Sequence, residues 1–347
     1  MFLGIKKRIE AELKRYVHSA ERLYSLKKIS PLLYRGIKDF TSREGKRVRP
    51  ILFTVGYLGF SEKTAPGLYK SALSIELMHD FMLVHDDIID KSAIRRGKPS
   101  MHALLDSYLG KRKNIKFNGE DLAIVVGDVI YAMSLHAFLS IKEDPKRKEK
   151  ALGKLIEAAV FTGSGEFIEL LLGLKGIDRI TESDIYKIYD YKTANYTFAS
   201  PLAIGAILGG ATDTETGKLS RYGLLAGRAF QIKDDILGLF SEEKEIGKSN
   251  LTDLQEAKLT LLMRQAFHRS GKIGKSVIKG ILSKKEITIA DLLAIRKIAE
   301  GSGALDYAKT EVYRYAKEAK RILISSRMRE PYKSSLIRYS EEILKLQ

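Results

Sequence analysis

The chain contains no cysteine and no tryptophan. The first absence removes disulfides, thiolate metal sites and cysteine nucleophiles together, so any chemistry must rest on oxygen and nitrogen groups. Proline is scarce, with seven in 347 residues, below the ~5% usual in globular proteins. Because proline is the residue least compatible with a helix interior, long helices are permitted almost everywhere. The start, MFLGIKKRIEAELKRYV, lacks the apolar run of a secretory leader, since Lys6, Lys7, Arg8 and Glu10 interrupt it at once. The longest weakly polar stretch is read as Phe198 to Ala211, with Pro201 inside it, short of the ~20 residues a membrane span needs. A cytoplasmic protein is expected, with membrane contact at most peripheral.

What is present is a globular composition: 44% hydrophobic and 30% charged residues place the chain away from the apolar-poor regime of disorder. The net charge of +17 favours anionic partners, whether nucleic acid, acidic headgroups or phosphorylated small molecules. Composition does not choose among them. The basic stretches at 110–119 and at the C-terminus are read as solvated surface, with no assignable role for the first.

Apolar residues recur at spacings of three and four through Leu73 to Asp90, Ala151 to Leu172, Ile185 to Leu208, Tyr222 to Phe240 and Leu254 to Arg269, the period of amphipathic or buried helices. Alternation of the strand type is nearly missing. Turn chemistry breaks the pattern at 61–67, 96–100, 110–119, 210–217 and 300–303, none of it a long linker. The fold class expected is all-α: ten or more helices in a single domain, 1–347.

The string HDDIID carries Asp86, Asp87 and Asp90 at the end of an apolar helical run. Asp86 and Asp90, four apart, share a helix face, where like charges repel unless a cation fills the gap. Hard oxygen ligands without His or Cys suit Mg2+. A second pair, Asp234 and Asp235 in FQIKDDILG, also follows a buried-looking run, and buried carboxylates without partners are costly. The two pairs make sense facing one another across a metal-filled mouth. Lys46, Arg47 and Arg49 in GKRVRP, with Arg95 and Arg96 in AIRRGKPS, would hold the phosphates there, arginine by bidentate contact and lysine as a point charge.

The region from Glu76 to Ser100, ELMHDFMLVHDDIIDKSAIRRGKPS, resembles the first aspartate-rich motif of the trans, head-to-tail, prenyl diphosphate synthases. GKRVRP, Gly127 and Asp128 in VVGD, Lys192 and Thr193 in YKTAN, FQIKDD and GKSNLTDLQEAK extend that resemblance in order along the chain. It is closest to the archaeal-type branch, that of the geranylgeranyl diphosphate synthases. The resemblance implies an isoprenoid-synthase helical fold around a central deep cavity, a homodimer, and two or three Mg2+ ions, with Mn2+ as a substitute. It implies isopentenyl diphosphate bound by Lys46, Arg49, His79 and Arg96. It implies allylic diphosphate bound by Arg95, Lys192, Thr193, Gln231, Lys248 and Lys258. Asp86, Asp90 and Asp234 correspond to metal ligands, with Asp87 beside them. Nucleic acid is not an expected partner.

Two departures from the family's pattern stand out. Gly238 occupies the fifth position of the second motif, where an aspartate is common, and Glu166 and Glu169 in GEFIEL replace the usual Gln and Asp. An allylic cation must be kept from water, so the product tail is expected to run down the Leu73 to Ile88 helix. At 1.5 Å per residue, Met82 and Phe81 lie about 6 to 7.5 Å below Asp86. A helical wheel favours Met82 as the floor, the resemblance Phe81; following the latter, the product expected has twenty carbons, with farnesyl or longer-chain products as alternatives. Terpene cyclisation and a non-catalytic partner subunit are the remaining rivals.

Overall fold

The structure, a computed structural model, describes residues 1–110, 114–241, 252–255 and 258–344. Helix dominates these residues, and the fold class is all-α as expected. The strands among them are a two-stranded antiparallel hairpin, Ile94–Arg95 with Lys98–Pro99. The chain divides into two compact units, Met1–Leu155 with Ile204–Ala211, and Ile156–Ala203 with Thr212–Gln347.

The first unit contains α1 (Phe2–Tyr24), α2 (Leu26–Ile29), α3 (Pro31–Thr41), α4 (Val48–Leu58), α5 (Leu68–Ile89), α6 (Met101–Leu109) and α7 (Gly119–Phe138). It also takes the first turns of α8 (Pro145–Gly173). Helix α5 is its axis. Ser71 to Met78 are buried without interruption, so this part of the helix is enclosed on every side. It packs against α7, α4 and α1.

Helix α7 corrects one reading of the sequence. It is long and apolar enough to cross a membrane, with a mean hydropathy of 1.5 over its best window, whereas Phe198 to Ala211 was read as the longest weakly polar stretch. Its charges cluster in the first turn, where Glu120 and Asp121 follow the Asn118 capping box, so the later turns are nearly uncharged. Ala123, Val126, Ile130, Met133 and Ala137 bury one side of it.

The second unit contains the rest of α8, then α9 (Glu182–Ile188), a π-helix (Tyr189–Ala199), the start of α10 (Ser200–Leu208) and α11 (Asp213–Phe240). Five helices follow from Leu261 onward. Helix α11 is central here, against the π-helix and the helix Ala304–Ile324. The stretch 185–208, expected as one helix, changes its winding to π across Tyr189–Ala199. Such wide turns often mark functional positions. Close packing supports this one: a Cβ on Gly227 of α11 would lie 2.5 Å from Ala194. The stretch 254–269 is interrupted too, because Thr260 starts a new helix by accepting from the Met263 N–H at 3.1 Å. The expected break at 210–217 is shorter, since Thr212 caps α11.

Candidate functional site

In the first unit the expected residues gather around the C-terminal half of α5. Asp90 caps this helix, its N–H bonding the Asp86 carbonyl at 2.8 Å, which puts the two carboxylates one turn apart. Both are half-buried, while Asp87 between them is fully enclosed. Asp87 therefore does not share their outlook, a correction to its placement beside them at the mouth. The reason is angular: a one-residue step turns about 100° around the helix and puts Asp87 on the core face with Glu76 and Asp80.

Arg95 ties this end together. Its Nε donates to Asp87 Oδ1 at 2.6 Å and its Nη2 to Asp86 Oδ2 at 3.2 Å. Burial pushes the Asp87 carboxyl up, and Arg95 opposes that rise. The arginine sits on the short hairpin, whose turn holds Arg96 and Gly97 at φ +52° and +71°. Arg43, which the sequence reading did not single out, clamps the hairpin from below. It donates to the Arg95 carbonyl at 3.1 Å and the Pro99 carbonyl at 2.8 Å, and pairs with Asp39 at 2.8 Å.

Arg47 turns inward, a correction to its expected place among the phosphate ligands. Buried at 4% exposure, it pairs with Glu76 at 2.6 Å and donates to the Arg43 carbonyl at 2.6 Å. Its left-handed backbone at the start of α4, φ +53°, sets that inward direction. Of the three basic residues in GKRVRP, this leaves exposed Lys46 and half-buried Arg49 for an anion. His79 is half-buried on α5. Burial, then the cations Arg49, Arg96, Arg95 and Arg47, hold its imidazole well below the ordinary value, so the ring is neutral at physiological pH. A Cβ on Gly45 would lie 3.7 Å from the Arg96 guanidinium carbon, which brings the GKRVRP loop to Arg96. The structure thus brings Arg49, His79 and Arg96 together as expected.

One turn below Asp86, the Phe81 ring meets the His85 ring edge-on at 4.6 Å and the Tyr131 ring of α7 at 5.0 Å. Met82 is half-buried beside it in sequence. The glycine of VVGD explains how α7 approaches: a Cβ on Gly127 would lie 2.6 Å from His85 Nε2. Asp128 stands 3.9 Å from the same nitrogen.

In the second unit the two aspartates of FQIKDD diverge. Asp234 is exposed. Asp235 accepts from Gln231 Nε2 at 2.9 Å and from the buried Tyr189 hydroxyl, which in turn accepts from the Leu261 N–H at 2.8 Å. Burial and Asp235 raise the Tyr189 phenol well above its ordinary range, so it stays a donor. Asp235, Gly238 and Lys258 line one small cavity with Leu254 and Met263.

Lys192 lies on the π-helix, where its Nζ is 2.6 Å from both Glu166 and Glu169 of α8. The two glutamates for which the sequence offered no role are therefore the partners of a predicted substrate ligand. Thr193, half-buried, follows it. Asp190 on the same segment makes a two-pronged pair with Arg228 of α11, at 2.6 and 2.5 Å. Lys248 lies outside the described residues.

Among the described residues, no group of three or more His, Asp or Glu side chains is arranged to hold a metal ion alone. Asp86 and Asp90 do offer hard oxygens one turn apart. Mg2+ commonly takes one or two carboxylates and completes its shell with phosphate oxygens and water, so this donor set fits a cation that arrives with a diphosphate.

The chain is similar to known proteins over most of its length. The polyprenyl synthetase family model matches residues 30–298. A geranylgeranyl diphosphate synthase of Methanosarcina mazei is 31% identical over 288 residues, covering 83% of this chain and 82% of the relative. A geranylfarnesyl diphosphate synthase of Aeropyrum pernix is 32% identical, covering 80% and 83%. The crystal structure of a polyprenyl synthase from Caulobacter crescentus, complexed with calcium and isoprenyl diphosphate, superposes with a TM-score of 0.76 at 25% identity, covering 96% and 97%.

Proposed function

We infer that this chain, which belongs to the polyprenyl synthetase family, is a chain-elongating prenyltransferase that condenses isopentenyl diphosphate with an allylic diphosphate, geranylgeranyl diphosphate being the product. The observation that carries the reading is on α5: two partly open carboxylates one turn apart, Asp86 and Asp90, on the helix that also carries His79 amid arginines. The C-terminal end of the helix suits a cation, and the position two turns earlier, at His79, a second diphosphate. The family match draws on both compact units, and we treat 1–347 as one functional domain acting in the cytoplasm.

In this reading Asp86, Asp90 and Asp234 hold divalent cations, two or three Mg2+ ions with Mn2+ as a substitute. Bound Mg2+ supplies positive charge that stabilises the departing pyrophosphate. The chain's own residues bind and orient. Arg95, Lys192, Thr193, Gln231, Lys248 and Lys258 take the allylic diphosphate, and Lys192 exchanges contact with Glu166 or Glu169 for it. Asp87, enclosed and bonded to Arg95, supports that arginine from within. Lys46, Arg49, His79 and Arg96 hold isopentenyl diphosphate, for which a neutral His79 can donate one hydrogen bond. Phe81, with Met82 beside it, limits the tail, and its contact with Tyr131 backs it.

A homodimer is part of the proposal. Helix α7 exposes Ile124 and Val125, and α8 separately exposes Ile156, Val160, Phe167 and Leu170. Apolar rows of this kind mark interaction surfaces, and a second copy is the partner the family implies.

The test is to incubate purified protein with Mg2+, isopentenyl diphosphate and dimethylallyl, geranyl or farnesyl diphosphate in turn, and to measure product length. A twenty-carbon diphosphate is expected. Conversion of the allylic substrate without consumption of isopentenyl diphosphate would overturn the reading in favour of a cyclase.

A further inference from the structure

Asp80 has no place in the chemistry above, although it lies next to His79 on α5. It is fully enclosed, and among the described residues neither carboxylate oxygen has a hydrogen-bond donor. An unsatisfied buried carboxylate costs several kcal/mol, so this position requires a reason beyond packing. Glu76, one turn earlier on the same face, is satisfied at 2.6 Å by Arg47. Asp80 faces Arg96 instead, with Nη1 3.6 Å from Oδ1, and among the described residues that Nη1 has no hydrogen-bond acceptor either.

Arg96 needs orienting. It sits at the tip of a two-residue-strand hairpin in the left-handed region, φ +52°, a conformation that non-glycine residues keep only where their surroundings impose it. Its side chain is 19% exposed, whereas that of Asp80 is 0% exposed. The carboxylate is thus sealed behind the guanidinium, leaving the outer side of the guanidinium for an anion. The separation exceeds that of a formed hydrogen bond, so Asp80 directs Arg96 by charge without consuming its donors. Burial and the like charge of Glu76 raise the Asp80 carboxyl, while Arg96 is first among the cations that lower it. The two groups are therefore electrostatically linked as well as adjacent.

We propose that Asp80 is a positioning residue, a buried counter-charge that aims the Arg96 guanidinium at the diphosphate of isopentenyl diphosphate. The proposal rests on the reading of Arg96 as a ligand of that substrate. It requires an asymmetry between the two partners. Removing Asp80 leaves a partly exposed arginine that water can solvate, so stability is kept while binding suffers. Removing Arg96 strands a buried carboxylate, so stability falls as well.

The experiment compares wild type, Asp80→Asn, Asp80→Ala, Arg96→Gln and the Asp80→Asn/Arg96→Gln double variant. Steady-state kinetics are run with each substrate varied in turn, alongside thermal unfolding. Asp80→Asn is expected to raise KM for isopentenyl diphosphate about tenfold, in the range typical of residues that orient a ligand-binding group, with KM for the allylic substrate and Tm unchanged. Arg96→Gln should lower Tm, and adding Asp80→Asn should restore it. In the double variant Asp80→Asn should add less than about twofold to KM, because coupled residues are not additive. An unchanged KM for isopentenyl diphosphate in Asp80→Asn, an equal rise in both KM values, or a lowered Tm in both Asp80 variants would overturn the proposal. A wild-type protein that consumes no isopentenyl diphosphate would instead remove the functional reading, and the proposal with it.

Discussion

Arg95 and Asp87 form an ion pair in which the carboxylate is wholly shut off from solvent and the arginine is not: the side chains are 27% and 0% exposed. Arg95 Nε reaches Asp87 Oδ1 at 2.6 Å. The pair fastens the hairpin to the end of α5, beside the carboxylates of Asp86 and Asp90.

Replacing Arg95 with alanine leaves the Asp87 charge buried without its partner. Losses of about 3 kcal/mol are typical when one member of a buried pair is removed. Urea unfolding of Arg95→Ala is expected to show a destabilisation of that order, together with a rise in KM for the allylic substrate. A midpoint equal to that of wild type would contradict the account of the pair.

Gly127 tests the packing of α7 on α5. Gly127→Ala drives a methyl group to 2.6 Å from His85 Nε2, and overpacking of this kind costs about 1 to 3 kcal/mol. His85→Ala in the same chain should return most of that loss. Denaturant midpoints of the two single variants and the double variant check it.

Phe81→Ala removes the ring that meets His85 and Tyr131. Product analysis by reversed-phase chromatography is expected to show diphosphates longer than twenty carbons. An unchanged product length would shift the floor to another side chain, Met82 first.

Asp291 predicts a pH dependence. Lys284 lies 2.6 Å from its carboxylate, and the Thr288 N–H donates to it at 3.0 Å. Lys284 foremost, then Thr288, lower its pKa from 3.8 to about 2. A folded-state value below the unfolded one adds stability above pH ~4 and loses it as pH falls through about 2. The stability difference between wild type and Asp291→Asn, measured by unfolding from pH 5 down to 2, should shrink across that window, with most of it gone at the acid end.

The helices and the order of motifs were legible because apolar spacing and paired acids are local signals. Helix α5 and the place of Asp86 and Asp90 on it follow from period and spacing alone. The inward turn of Arg47 was not legible, since it depends on a left-handed backbone at φ +53° and on Glu76, 29 residues away in sequence. The burial of Asp87 did have a signal: Glu76, Asp80 and Asp87 stand four and seven apart, one helix face, and that face is the core. The π-winding around Lys192 had none, because the segment packs against α11 at Gly227, a contact between elements that spacing within one segment does not reveal. Glu166 and Glu169, spaced three apart, were visible as a pair on one side of a helix. Their partner Lys192 lies on a different element, which spacing within one helix does not reveal.

The most direct test measures incorporation of labelled isopentenyl diphosphate by wild type, Asp86→Asn and Asp234→Asn, with Mg2+, after chelation, and after Mg2+ is restored. The account predicts that chelation abolishes incorporation reversibly. It predicts that each substitution lowers kcat by about a hundredfold or more, the scale on which preorganised charge acts at a leaving group. Full turnover after chelation, or a wild-type kcat in Asp234→Asn, would contradict it.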